Sequence, residues 1–168
     1  MNPKVLILMG SDSDWEVMSE AQKALAELGV ASEVHVSSAH RTPARTGALA
    51  REAAGRGIRV VICGAGAAAH LAGVVAAETE LPVLGVPLAS SDLAGLDALL
   101  ATAQMPGGVP VGTLAIGKAG ARNAGLLAGR IIARADGVVA QKVRDQRARM
   151  TREVEAKDAA LQQKLSGG

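Results

Sequence analysis

Phenylalanine and tyrosine are absent from this chain of 168 residues, and Trp15 is its single aromatic residue. Stacking of bases on aromatic rings, the usual means of holding single-stranded nucleic acid, is therefore excluded as a main mode of recognition. A flavin held between two aromatic rings is disfavoured for the same reason. Cysteine is nearly absent as well. Cys63 alone cannot form an internal disulfide, and with only three histidines a dedicated transition-metal site is not expected. The balance of 18 basic against 16 acidic residues gives a net charge of only +2, so no charge argument favours a nucleic-acid partner. No run of about 18 uncharged apolar residues predicts a transmembrane helix. No basic segment followed by an apolar stretch and a cleavage site predicts secretion, so a cytoplasmic protein is expected.

What remains is rich in Ala, Val, Leu, Ile and Gly, so the core must be assembled from many small contacts. Val5–Met9 is a short apolar run stopped by Gly10, a buried strand. Residues 14–28 place Val17, Met18, Ala21, Leu25 and Leu28 at helical spacing, ended by Gly29. The alternation continues with a strand around Val34 and Val36, a helix over 43–54, a strand over 60–63 and a helix over 67–77. A strand over 82–86, a helix over 93–103, a strand over 111–116 and a helix over 119–135 complete it. Apolar strands separated by helices predict a parallel sheet covered on both faces. The expected fold class is α/β, a three-layer, doubly wound parallel sheet of flavodoxin-like order 2-1-3-4-5. Residues 1–138 form the expected catalytic domain. In 139–168, Val139, Val143, Met150, Val154 and Leu161 mark an amphipathic C-terminal helix over 139–164, packed on the domain or on a neighbouring subunit. Residues 141–168 hold seven basic and four acidic residues; the interruption by acids argues against a nucleic-acid arm.

Ligands of doubly wound sheets bind beyond the carboxyl ends of the strands at the switch point, here between the first and third strands. The loop after the first strand, Gly10-Ser11-Asp12-Ser13-Asp14, offers hydroxyls and a helix start suited to an anion. Two carboxylates beside a phosphate repel it, so at least one must point elsewhere, and a ribose diol suits Asp14. The same residues also suit plain helix capping. After the second strand comes Ser38-Ala39-His40-Arg41-Thr42-Pro43. Arg41 can grip phosphate with its planar fork, and His40 can shuttle a proton near neutrality. After the third strand comes Gly64-Ala65-Gly66-Ala67-Ala68-Ala69-His70. It matches a dinucleotide fingerprint loosely, but the supporting acid at the end of the fourth strand is missing, which weakens a dinucleotide oxidoreductase. His70 reads as a helix histidine, His35 as a strand histidine and Cys63 as a small buried hydrophobe. These loops together point to a phosphorylated small molecule, one acid/base group and no evident cofactor.

Beyond that point the motifs carry a resemblance. Met9-Gly10-Ser11-Asp12-Ser13-Asp14-Trp15, Ser38-Ala39-His40-Arg41-Thr42-Pro43 and Gly64-Ala65-Gly66-Ala67-Ala68-Ala69-His70-Leu71 occur in one order with Leu81–Pro87, Gln104–Thr113, Leu114–Gly117 and Ala121–Ala124. In that combination the chain resembles the N5-carboxyaminoimidazole ribonucleotide mutases over most of residues 4–134. One departure is Ala72, where the family usually carries proline. The resemblance implies an isomerase of de novo purine biosynthesis that moves a carboxyl group from the exocyclic nitrogen to C4 of an aminoimidazole ribonucleotide, without metal or cofactor. It implies Ser11, Asp14 and Arg41 as ribonucleotide ligands and His40 as the proton shuttle. Ser13, Ser38, Ala39, Gly64, Ala65, Gly66, His70 and Leu71 complete the expected substrate site, with backbone groups at Gly64–Gly66 cradling the ring or CO2.

Two alternatives stand beside this reading. One is a sister class that carboxylates the free aminoimidazole directly with CO2, which the Ala-Ala-His-Leu segment disfavours. The other is a non-catalytic nucleotide-binding module, for which a titrating His40 has no use. The partners expected are a small-molecule ribonucleotide and further copies of the same chain, with no nucleic acid and no membrane. The resemblance implies an octamer. A chain without Phe or Tyr must find apolar burial elsewhere, and the helix over 119–135, with Leu126, Leu127, Ile131 and Ile132 among small residues, is apolar enough for both faces to be covered.

Overall fold

The computed structural model describes residues 2–167. Its five strands are β1 (Val5–Met9), β2 (Ser32–Val36), β3 (Val60–Gly66), β4 (Val83–Leu88) and β5 (Gly112–Thr113). They form one sheet of order β2-β1-β3-β4-β5 with all pairs parallel, the predicted topology. The helices between them are α1 (Trp15–Glu27), α2 (Pro43–Ala53), α3 (Leu71–Glu78), α4 (Leu96–Ala103) and α5 (Gly117–Ile132). A long α6 (Gly137–Ser166) follows.

Every residue of β1 is buried, as a central strand covered on both faces requires. Its side chains divide the core. Val5, Ile7 and Met9 join α1, α5 and Val139 of α6 on one face, while Leu6 and Leu8 join α2 and α3 on the other. Without aromatic rings the layers close by bringing backbones together. A Cβ on Gly125 of α5 would lie 2.4 Å from the Ala21 carbonyl oxygen of α1, so the small residues of α5 serve packing inside the chain.

Several element boundaries differ from the sequence reading. The helix expected over 67–77 begins only at Leu71, because β3 runs on to Gly66, paired with Leu88 of β4. Ala67 then turns the chain at φ +48°. Strand pairing here overrides the helix preference of the three alanines. The helix expected from 93 starts at Leu96, since Ala94 (φ +50°) and Gly95 (φ +88°) are left-handed. The strand expected over 111–116 pairs only at Gly112 and Thr113. The helix expected over 119–135 spans Gly117–Ile132.

The C-terminal helix starts at Gly137 rather than 139, where Asp136 Oδ1 accepts the backbone N–H groups of Val138 and Val139, both at 3.1 Å. Within α6 only Val139 and Gln146 are buried, and every described residue beyond Gln146 is exposed. No helix among the described residues is long and apolar enough to cross a membrane.

Candidate active site

The carboxyl ends of β1, β2, β3 and β4 surround a cleft of about 420 Å³. Its position at the switch point between β1 and β3 is the one the strand order dictates.

The loop after β1 supplies Gly10, Ser11, Ser13 and Asp14 to the cleft wall. Residues Asp12–Asp14 form a short 3-10 turn capped by Ser11. The Ser11 N–H donates to Asp14 Oδ2 at 3.0 Å, and the Ser13 N–H donates to Asp12 Oδ1 at 3.0 Å. Both carboxylates are thus turned toward donors of their own turn, as the expected repulsion of a phosphate requires. Burial raises the Asp14 carboxyl above its ordinary pKa, against the lowering pull of the Ser11 and Gly10 backbone N–H groups. The Ser13 hydroxyl donates to Ser11 Oγ at 2.9 Å, so the two serines act as one unit.

The loop after β2 is anchored from inside and from within. Ser37 is buried, its hydroxyl 2.8 Å from that of Thr46 in α2. Thr42 Oγ1 accepts the Ser38 N–H at 3.0 Å, which closes the turn. Arg41 then reaches across to the first loop, where its Nη2 donates to the Gly10 carbonyl at 2.8 Å. Its backbone N–H donates to Ser38 Oγ at 3.2 Å. The guanidinium is thereby held beside Ser11 and Ser13, where an anion lodged against both loops would meet it.

His40 lines the cleft and His70, also expected in its wall, does not; both are exposed, and His40 Nε2 stands 2.9 Å from His70 Nδ1 with the rings edge-to-face at 82°. One of the two nitrogens must carry the proton and the other accept it. His70 is not a packed helix histidine: it occupies the N-cap position of α3, outside the core. His35 does lie within β2, half-buried, with Nε2 3.9 Å from Glu33. Cys63 is buried, and burial pushes its thiol pKa well up, so it is the inert hydrophobe expected.

Of the third loop, Ala65, Gly66 and Leu71 line the cleft as expected, as do Ser38 and Ala39 of the second. Gly64 does not. It is buried, and a Cβ there would lie 2.3 Å from Met18 Sδ, so its small size makes room for α1 rather than for a ligand. The expected site omitted three wall residues, Gly10, Ala68 and Ser90. Ser90 follows β4, one strand beyond the pair that flanks the switch point. Among the described residues, no group of three or more His, Cys, Asp and Glu is placed to hold a metal.

Comparisons with known proteins bear on the family and the fold. The family model described as AIR carboxylase matches residues 4–153. The chain is 53% identical over 165 residues to the N5-carboxyaminoimidazole ribonucleotide mutase of Mycobacterium tuberculosis, covering 98% of this chain and 93% of that one. It is 55% identical to the protein of that name from Bacillus subtilis over 88% of this chain and 91% of the relative. Among solved structures, Treponema denticola PurE superposes with a TM-score of 0.86 at 26% identity, covering 95% of this chain and 98% of that one.

Proposed function

The chain belongs to the AIR carboxylase family, and we propose that it converts N5-carboxyaminoimidazole ribonucleotide to 4-carboxy-5-aminoimidazole ribonucleotide in purine biosynthesis. It is an enzyme, a mutase of the isomerase class, like the relatives with which it shares more than half of the aligned residues.

The observation that carries the mechanistic reading is the placing of His40. The walls below it offer serine hydroxyls and a guanidinium, which suit a ribose phosphate. The rim above carries a histidine with one ring nitrogen on His70 and the other, Nδ1, facing no partner among the described residues. A module that only binds nucleotide has no use for such a group. In the reaction we infer, the bond between the exocyclic nitrogen and the carboxyl carbon breaks, releasing CO2, and the nitrogen takes a proton from His40. C4 of the ring then attacks the retained CO2. The proton that C4 must lose returns to His40, so the proton count closes without an external acid or base. His70 orients the His40 ring and accepts or supplies the proton on Nε2. Arg41, Ser11 and Ser13 hold the phosphate and Asp14 the ribose diol. The small side chain of Ala65 lets the ring approach the end of β3, a role that the buried Gly64 does not fill. Because the proton balance needs neither ATP nor metal, none is invoked.

We infer a cytoplasmic homo-octamer from the same family resemblance. Exposed apolar side chains support association: Met150, Val154, Leu161 and Leu165 recur at helical spacing along the free half of α6. Leu93, Leu96 and Leu100 do so at α4. Sedimentation at micromolar concentration tests this. A species about eightfold heavier than the 16.9 kDa chain supports it, and a monomer refutes it.

The activity itself is tested by supplying the N-carboxylated ribonucleotide without ATP, added metal or bicarbonate. Turnover supports the mutase, and a strict need for added CO2 supports the sister carboxylase instead.

A further inference from the structure

We propose that the Ser90 hydroxyl binds the carboxylate of the carboxylated aminoimidazole, and so distinguishes the carboxylated ribonucleotides from the bare one. The inference rests on the mutase reading.

Three observations carry it. The hydroxyl occupies the space that a side chain on residue 66 would fill: a Cβ built on Gly66 would lie 1.8 Å from Ser90 Oγ. Glycine at 66 is therefore what admits this serine to the cleft wall. Second, the hydroxyl has no partner among the described residues. The hydrogen bond of Ser90 is made by its backbone N–H, to the Leu88 carbonyl at 3.1 Å. The other cleft serines are all engaged, Ser11 and Ser13 with each other and Ser38 with the Arg41 N–H. Third, the walls differ in chemistry. The loops after β1 and β2 carry the charged and hydroxyl groups, whereas the wall after β3 presents only Ala65, Gly66, Ala68 and Leu71. Ser90, at the end of β4, is the side-chain hydrogen-bonding group of that far wall. The ends of β1 and β4 lie two strand spacings apart, roughly 10 Å. An imidazole on a ribose 5-phosphate can reach across that distance, with the phosphate on the Arg41 side and the carboxylate toward Ser90.

The test measures binding of 4-carboxy-5-aminoimidazole ribonucleotide and of uncarboxylated aminoimidazole ribonucleotide to wild type, Ser90→Ala and Ser90→Thr. A hydrogen bond to a charged group predicts that Ser90→Ala weakens the carboxylated ligand about tenfold or more. Binding of the uncarboxylated ligand stays within about twofold, and Ser90→Thr restores the difference. Equal weakening of both ligands, or no change in either, overturns the proposal while a wild type that still isomerises leaves the mutase reading standing. A wild type that binds neither ligand overturns both.

Discussion

Replacing His40 by asparagine removes the titrating group while keeping a polar side chain of similar reach. The structure sets the size of each consequence. His40 is exposed and its side chain packs in neither core cluster, so the fold should lose no more than about 0.5 kcal/mol, the scale of surface substitutions. In the proposed binding mode the phosphate and ribose contact other residues, so the ribonucleotide Kd should move by less than about tenfold. Turnover should fall by roughly 10²–10⁴, the scale of positioned acid/base catalysis. The neighbouring histidine supplies the internal control. His70 touches His40 through one hydrogen bond of 2.9 Å. Its replacement by asparagine should therefore cost about 0.5–1.5 kcal/mol of positioning, a fall of about 2- to 13-fold in kcat. The assay is steady-state isomerisation followed by ultraviolet absorbance, with ribonucleotide affinity measured by calorimetry. Near-normal turnover in His40→Asn, or a His70→Asn defect as deep as that of His40→Asn, would refute this division of roles.

Arg41→Ala should weaken the ribonucleotide by about 10- to 150-fold, the range of a lost charge-assisted hydrogen bond, and leave the dephosphorylated ribonucleoside nearly unchanged. Equal losses for both ligands would remove Arg41 from the phosphate. Gly125→Ala places a methyl 2.4 Å from the Ala21 carbonyl oxygen, so overpacking should lower stability by about 1–3 kcal/mol in denaturant titration despite the better helix propensity. A stabilised variant would contradict the close approach of α1 and α5. Glu27 accepts from Arg122 of α5 at 2.9 Å and from Arg149 of α6 at 3.1 Å, and Arg122 first, then Arg149, hold its pKa down. A depressed carboxylate pKa gives stability that is present above the unfolded value of about 4.3 and lost as pH falls through the folded value. The protection factors of amides around Arg149, taken against the intrinsic exchange rate at each pH, should therefore fall below about pH 4 in wild type, and Glu27→Gln should show the lower protection already at pH 7. The effect is small, because the pair is partly solvated. No change in either protein would mean that the free half of α6 is not held by this contact.

Strand order was legible because a fully buried strand such as Val5–Met9 reads as an unbroken apolar run and a helix such as α1 reads at a period of 3.6. The segment Ala67-Ala68-Ala69 misled, because alanine favours helix locally while the pairing of Gly66 with Leu88 is set by residues 22 positions away. Spacing could find His40 and Arg41, which sit together at a strand end. It could not find the meeting of His40 with His70, 30 residues apart, nor the purpose of the glycines. Gly64 faces Met18 and Gly66 faces Ser90, a distinction that exists only once α1 and β4 are in place. The serine after β4 carries no motif that would separate it from an ordinary loop residue.

The proposed isomerisation requires that the cleft keep the released CO2 and return it to the same ring. A single turnover of substrate labelled with carbon-13 in its carboxyl group, run in excess unlabelled bicarbonate, tests this most directly. The C4 carboxylate of the product should keep the label. Product carrying unlabelled carbon in proportion to the surrounding pool would contradict it.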